Sequence, residues 1–171
     1  MATLRIVKYG DPILSKVARP VEKIDGEISR VVNDMFETMY AAPGVGLAAP
    51  QVGIPLRIVV LDESVREGRK DRPIALINPV IKRSSGLIAA VEGCLSIPGI
   101  YELVERAKEV VVEGLTPEGE EVTVEAKDML ARILQHEIDH LDGILFVDRL
   151  PPSRRMMLRR DLERIRRGSI E

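Results

Sequence analysis

The sequence predicts an α+β fold: mostly antiparallel sheets packed around a central helix that carries an H-E-x-x-H motif, with a further helix at the C-terminus. Three observations predict it. Strand-like runs follow one another from Arg57 to Ala126 with no steady βαβ alternation, which points to antiparallel pairing. A segment from about Lys127 to Leu141 then carries Met129, Leu130, Ala131, Ile133, Leu134, Ile138 and Leu141 on most of its sides, as a buried helix does. Lastly, Pro151-Pro152 opens a helix that runs to about Arg167 and is closed by Gly168.

The stretch up to Pro20 contains Gly10-Asp11-Pro12, a turn or helix-start signal. From Asp25 to Ala42 a helix is predicted. Asp25 is its N-cap candidate, and Ile28, Val31, Val32, Met35, Phe36 and Met39 form one apolar face before Pro43-Gly44 ends it. Residues 44–53 read as a loop of small residues where backbone can come close to another group. Arg57–Leu61 and Ile74–Ile77 are β-rich, and the polar segment Asp62–Arg72 between them reads as an exposed loop. Further strands are predicted at Gly86–Val91, Tyr101–Arg106, Glu109–Leu115 and Glu121–Ala126. The turn Thr116-Pro117-Glu118-Gly119 joins the last two as a hairpin.

Composition narrows the class of protein. With 171 residues, 45% of them apolar, one domain over 1–171 is expected. A single cysteine excludes a disulfide scaffold. Apolar runs as short as Ile58–Leu61 leave no membrane span, and the N-terminus lacks a signal-peptide core, so a cytosolic protein, or a processed organellar chain, is expected. A net charge of −2 argues against a whole-surface nucleic-acid binder, and no DNA partner is expected. The charge is uneven: residues 151–171 hold seven Arg against three acids, and the first 150 residues hold 18 basic against 24 acidic residues.

His136-Glu137-Ile138-Asp139-His140 lies in the predicted buried helix. Residues four apart share a helix face, so both imidazoles can reach one metal ion, and Glu137 beside them can take a proton from water activated there. Two histidines placed at random would fall four apart in about one arrangement in ninety, before Glu is required between them. A solvated polar face is the competing reading, but Ile133, Leu134, Ile138 and Leu141 flank the motif.

A third ligand is needed, and a catalytic site leaves a further position open. The zinc-protease pattern H-E-x-x-H-x-x-G-x-x-H matches through Gly143 but ends on Phe146, and the chain has no other His. A downstream acid would be Glu163 or Glu171, in or beyond the basic helix. Cys94, in Glu92-Gly93-Cys94-Leu95-Ser96, remains. A lone Cys is more often a small buried hydrophobe, yet a His₂Cys shell is a known catalytic arrangement.

Three separated motifs resemble those of the peptide deformylases. Gly44-Val45-Gly46-Leu47-Ala48-Ala49-Pro50-Gln51 is similar to the family's G-φ-G-φ-A-A-x-Q, Glu92–Ser96 to E-G-C-L-S, and Gln135–Gly143 to Q-H-E-φ-D-H-φ-x-G, in the same order and spacing. The resemblance implies a hydrolase that removes the formyl group from the N-formylmethionine of new proteins. It implies Cys94, His136 and His140 as ligands of Fe²⁺, replaceable by Ni²⁺, Co²⁺ or Zn²⁺, and Glu137 as the base that passes a proton to the departing amine. The family's oxyanion donors fall on the Gln51 side-chain amide and the Leu95 backbone N–H. Its peptide and methionine pocket falls on Val45, Gly46, Gly93, Leu95, Met129, Ile133 and His136. At Arg132 family members vary between an aliphatic residue and Arg, and if it lines the pocket its alkyl stem can pack there with the guanidinium in solvent; Tyr101 stands where some members carry Arg.

For the seven Arg of the last helix two readings stand: a solvated face with partners such as Asp161 and Glu163, or attraction to ribosomal RNA, as the family's C-terminal helix implies. Another H-E-x-x-H amidase or peptidase is the alternative activity. A ribosome-associated protein with a purely structural metal would need neither Glu137 nor Gln51.

Overall fold

The structure, a computed structural model, describes residues 2–168. Its strands are β1 (Gly46–Ala48), β2 (Ile58–Asp62), β3 (Pro73–Ser85), β4 (Ile88–Cys94), β5 (Ile97–Arg106), β6 (Glu109–Leu115) and β7 (Glu121–Lys127). Its helices are α1 (Gly26–Ala41), α2 (Asp128–Leu141), α3 (Pro152–Met157) and α4 (Arg159–Arg166). One sheet has the order β1-β2-β3-β6-β7 and the other is the hairpin β4-β5, with antiparallel pairing throughout both.

Strand β2 explains the layering. All five of its residues are buried, because Val59 and Leu61 face the core around α2 while Ile58 and Val60 face the core under α1. A strand covered on both faces loses apolar/polar alternation and becomes a continuous apolar run. A third core joins Ile97, Ile100 and Val104 of β5 to Phe146, Val147 and Leu150 and to Leu158, Leu162 and Ile165 of the C-terminal helices.

Helix α1 starts where Asp25 predicts, its carboxylate accepting from the N–H groups of Glu27 and Ile28. Helix α2 presents three faces. Ala131, Leu134, Ile138 and Leu141 pack toward the five-stranded sheet; Met129, Ile133 and Glu137 look into a cleft; and Arg132, His136 and Asp139 reach polar partners on the β4-β5 hairpin or beyond it. The helix is pinned at its middle and at its C-terminal end. Gln135 grips the backbone of Ala107 through both its Oε1 and its Nε2. At the C-terminus Ile144 N–H reaches Asp139 O and Gly143 N–H reaches His140 O, a Schellman cap, and Arg57 donates to Leu141 O.

Four expectations need correction. The small-residue loop 44–53 contains β1 and a 3-10 turn, since pairing with β2 satisfies its backbone. The polar segment after β2 is only partly exposed: Asp62 and Ser64 are buried, with Asp62 accepting from Tyr40 and Ser64. Strand β3 runs eight residues past Ile77 with register shifts, because β6 pairs along its exposed extension. The last helix breaks at Leu158, whose side chain turns into the third core, so it is two helices.

Gly143 has φ +74, and a Cβ there would stand 2.7 Å from the Ser15 carbonyl oxygen. Gly143→Ala is expected to cost about 2 kcal/mol, read as a lower urea midpoint with an unchanged m-value.

Candidate metal centre and its cleft

Two elements deliver the site. Helix α2 brings His136, Glu137 and His140, and β4 brings Cys94 at the point where the β4-β5 register shifts between Glu92 and Cys94. The ligating atoms of Cys94, His136 and His140 all lie within 4.8 Å of one another, with Cys94 Sγ 3.4 Å from His140 Nε2. A thiolate with two imidazoles suits a divalent transition metal and not Mg²⁺ or Ca²⁺.

The electrostatics fit such an ion. Burial opposes ionisation of Glu92, but hydrogen bonds from His136 and Arg106 outweigh it and hold the carboxyl at about 2. As an ionised carboxylate Glu92 can only accept, so His136 Nδ1, 2.9 Å from Glu92 Oε1, is the donor, which leaves Nε2 as the nitrogen that a metal would take in exchange for its proton. Burial also opposes charge on His136. Hydrogen bonds to Cys94 and Glu92 and the charge of Glu137 override it and raise that pKa well above the ordinary value. Burial, with the positive charge of His136 and Arg106, pushes His140 well below it, toward the neutral form that ligates. Glu137 is raised to about 7, chiefly by burial. Its Oε1 is buried without a hydrogen-bond partner, which suits a group that exchanges a proton with a molecule in the cleft.

The cleft holds about 610 Å³. Val45, Gly46, Gly93, Leu95, Met129, Ile133, His136, Glu137, Gln51 and Cys94 all border it, while His140 lies beneath at 1% exposure. Gln51 is buried, its Oε1 fixed by the Ala48 N–H and its Nε2 aimed at Ser96 Oγ (3.1 Å) and Cys94 Sγ (3.5 Å). Leu95 forms half of the two-residue turn between β4 and β5. Two glycines are needed for space. A Cβ on Gly46 would meet Glu137 Oε2 at 2.5 Å, and one on Gly93 would meet the Tyr101 ring at a similar distance.

Other residues fall differently. Arg132 borders the cleft, but its guanidinium turns inward instead of reaching solvent: it bonds Glu92, Val104 O and Ile88 O and is 4% exposed. Sequence reasoning missed Arg106 and Asp139, which continue this buried network, because a charged residue in a strand or helix ordinarily reads as exposed. Val65 and Arg66, from the segment read as a plain loop, also border the cleft. Phe146, where a protease would have a third His, is buried and stacks on His136. Glu163 is an exposed partner of Arg166 and Arg167, and Glu171 lies outside the described residues.

This fold and donor set define a metal-dependent hydrolase of α+β architecture. The polypeptide deformylase family model matches residues 3–156. A peptide deformylase of Thermodesulfovibrio yellowstonii is 48% identical over 94% of this chain and 96% of its own length, and peptide deformylase 1 of Clostridium acetobutylicum is 54% identical over 90% and 98%. Among solved structures, peptide deformylase from Thermus thermophilus superposes with TM-score 0.90 at 46% identity, covering 98% of this chain and all of the other. One from Ehrlichia chaffeensis in complex with actinonin gives 0.88 at 39%, covering all of both. The chain belongs to the polypeptide deformylase family, metal-dependent hydrolases that remove the N-formyl group from nascent proteins.

Gly46→Ala tests the contact with Glu137. If Glu137 is the general base proposed below, the substitution should lower kcat at least about tenfold, since a displaced base forfeits most of its contribution, while metal content stays at the wild-type level. Unaltered kcat would show that the carboxylate tolerates the methyl.

Proposed function

We propose that Cys94, His136 and His140 hold Fe²⁺, with Ni²⁺, Co²⁺ or Zn²⁺ able to replace it, and that the cleft above them takes the formylmethionine end of a nascent peptide. The observation that carries this reading is the convergence of that donor set and the unpartnered Glu137 carboxylate on one largely apolar cleft. When bound, a metal of this class acidifies water and polarises a carbonyl oxygen. Glu137 takes the proton of the attacking water and returns it to the departing amine; its burial, which raises its pKa, favours holding the proton between the two transfers. Gln51 Nε2 and the Leu95 N–H donate to the oxygen that becomes negative, and the Ala48 contact keeps the Gln51 amide from turning its oxygen to that position.

The methionine side chain packs among Val45, Leu95, Met129, Ile133 and the His136 ring. Backbone recognition follows from the sheet edges. Strand β1 is the edge of its sheet and β4 pairs only with β5, and Gly44–Gly46 and Glu92–Cys94 border the same cleft, so an extended peptide can add to these edges. Residues 1–171 act as one domain in this reading, and the enzyme works in the cytoplasm of a bacterium. No helix among the described residues is long and apolar enough to cross a membrane.

Ribosome association rests on charge that the structure largely commits elsewhere. Arg154 makes a bidentate pair with Glu102, and Arg155, Arg164, Arg166 and Arg167 also have acidic partners. Among the described residues Arg159 and Arg160 make no ion pair. These two supply the attraction to ribosomal RNA that we propose.

Three measurements check these assignments. Glu137→Ala should keep its metal and lose deformylation of a formyl-Met peptide by a factor of about a hundred or more, and an active variant would remove Glu137 from the chemistry. Cys94→Ala should lower the metal content of the anaerobically purified protein; full iron occupancy would defeat the ligand assignment. Arg159→Glu with Arg160→Glu should weaken ribosome co-sedimentation at low salt and leave turnover intact, whereas equal binding would leave α3 and α4 as helices that serve the third core.

A further inference from the structure

Arg132 has a role beyond bordering the cleft. Its guanidinium donates through Nη1 to Glu92 Oε2 (2.5 Å) and Val104 O (2.9 Å) and through Nη2 to Ile88 O (2.6 Å). Ile88 and Glu92 belong to β4 and Val104 to β5, so one side chain of α2 grips both strands of the hairpin that ends in Cys94. A second link runs the other way. Arg106 of β5 holds Glu92 through Nε and Nη2 and Asp139 of α2 through Nη1, and Asp139 is held again by Arg149.

Helix α2 is therefore joined to the hairpin at residues 132 and 139, about 10 Å apart along the helix axis. His136 lies midway between the two links and His140 just past the second. The Glu92 carboxylate is shared by Arg132, Arg106 and His136 Nδ1. Moving the hairpin relative to the helix therefore breaks the bond that orients His136. Lysine cannot reproduce the first link, because one ammonium lacks the planar fork that serves three acceptors in different directions.

We propose that Arg132 is a positioning residue of the metal centre: it fixes the helix that carries His136 and His140 to the hairpin that carries Cys94 and so sets how firmly the ion is held. This rests on the assignment of Cys94, His136 and His140 as ligands. A pocket-wall role for Arg132 would instead act on substrate binding, and the two separate cleanly by measurement.

Zinc-loaded wild-type protein, Arg132→Ala and Arg132→Lys are mixed with a chromophoric chelator and the rate of zinc loss is followed; KM for a formyl-Met peptide and the thiolate-to-metal band of the Co²⁺ form are recorded alongside. Removing a residue that orients metal ligands should speed zinc loss about tenfold or more in Arg132→Ala, with Arg132→Lys nearer to alanine than to wild type. The cobalt band should shift while KM stays within about twofold. Wild-type zinc loss in a folded Arg132→Ala overturns the proposal, as does a change confined to KM. Should Arg132→Ala not fold by circular dichroism, Arg132→Lys and Arg132→Gln carry the same criteria. His136→Ala is the control for the underlying reading: if it holds zinc as wild type does, the ligand assignment itself fails.

Discussion

The buried chain of charges Arg132–Glu92–Arg106–Asp139, closed at the surface by the exposed Arg149, is the constraint on which the site depends. Ions taken out of water are costly, and they persist here because each oxygen of Glu92 and Asp139 meets at least one fixed donor. An apolar interface of similar volume would hold the helix against the hairpin as well. It would slide more easily, and it would not orient His136. Directional bonds define the relative placement of two elements that each carry part of a metal's donor set.

Around that frame, the remaining parts are arranged by space as much as by charge. The absent side chain of Gly46 makes room for the Glu137 carboxylate against the β1 backbone, and the absent side chain of Gly93 makes room for Tyr101 across β4. Burying Glu137 in this way raises its pKa, so the close packing of strand on helix sets the proton affinity of the carboxyl that faces the cleft. The edges of β1 and β4 remain beside the same cleft, where an extended peptide can find backbone partners.

Much was legible in order along the chain. Asp25 as a cap, the α1 stripe, the β6-β7 hairpin and the buried α2 follow from local periodicity and turn chemistry, which act over a few residues. The boundaries that failed have a common cause. Strand β1 in the small-residue loop, the long β3 and the break at Leu158 are decided by partners far away in sequence: β2, β6 and the third core. The same holds for Asp62, a polar residue that reads as loop until Tyr40 and Ser64 satisfy it inside.

By itself the sequence marked a candidate donor set. The i, i+4 histidines with Glu137 between them are legible because helix geometry is a local property, and Cys94 joined them as a candidate through the resemblance of its motif. Only the tertiary structure decided how those donors are held. In sequence the role of Arg132 stays open, with a solvent-facing charge if it lines the pocket; in the fold its charge is turned inward onto Glu92 and two strand carbonyls. Whether a charged side chain is exposed or buried depends on what packs against it, and here those groups lie 28 to 44 residues away along the chain.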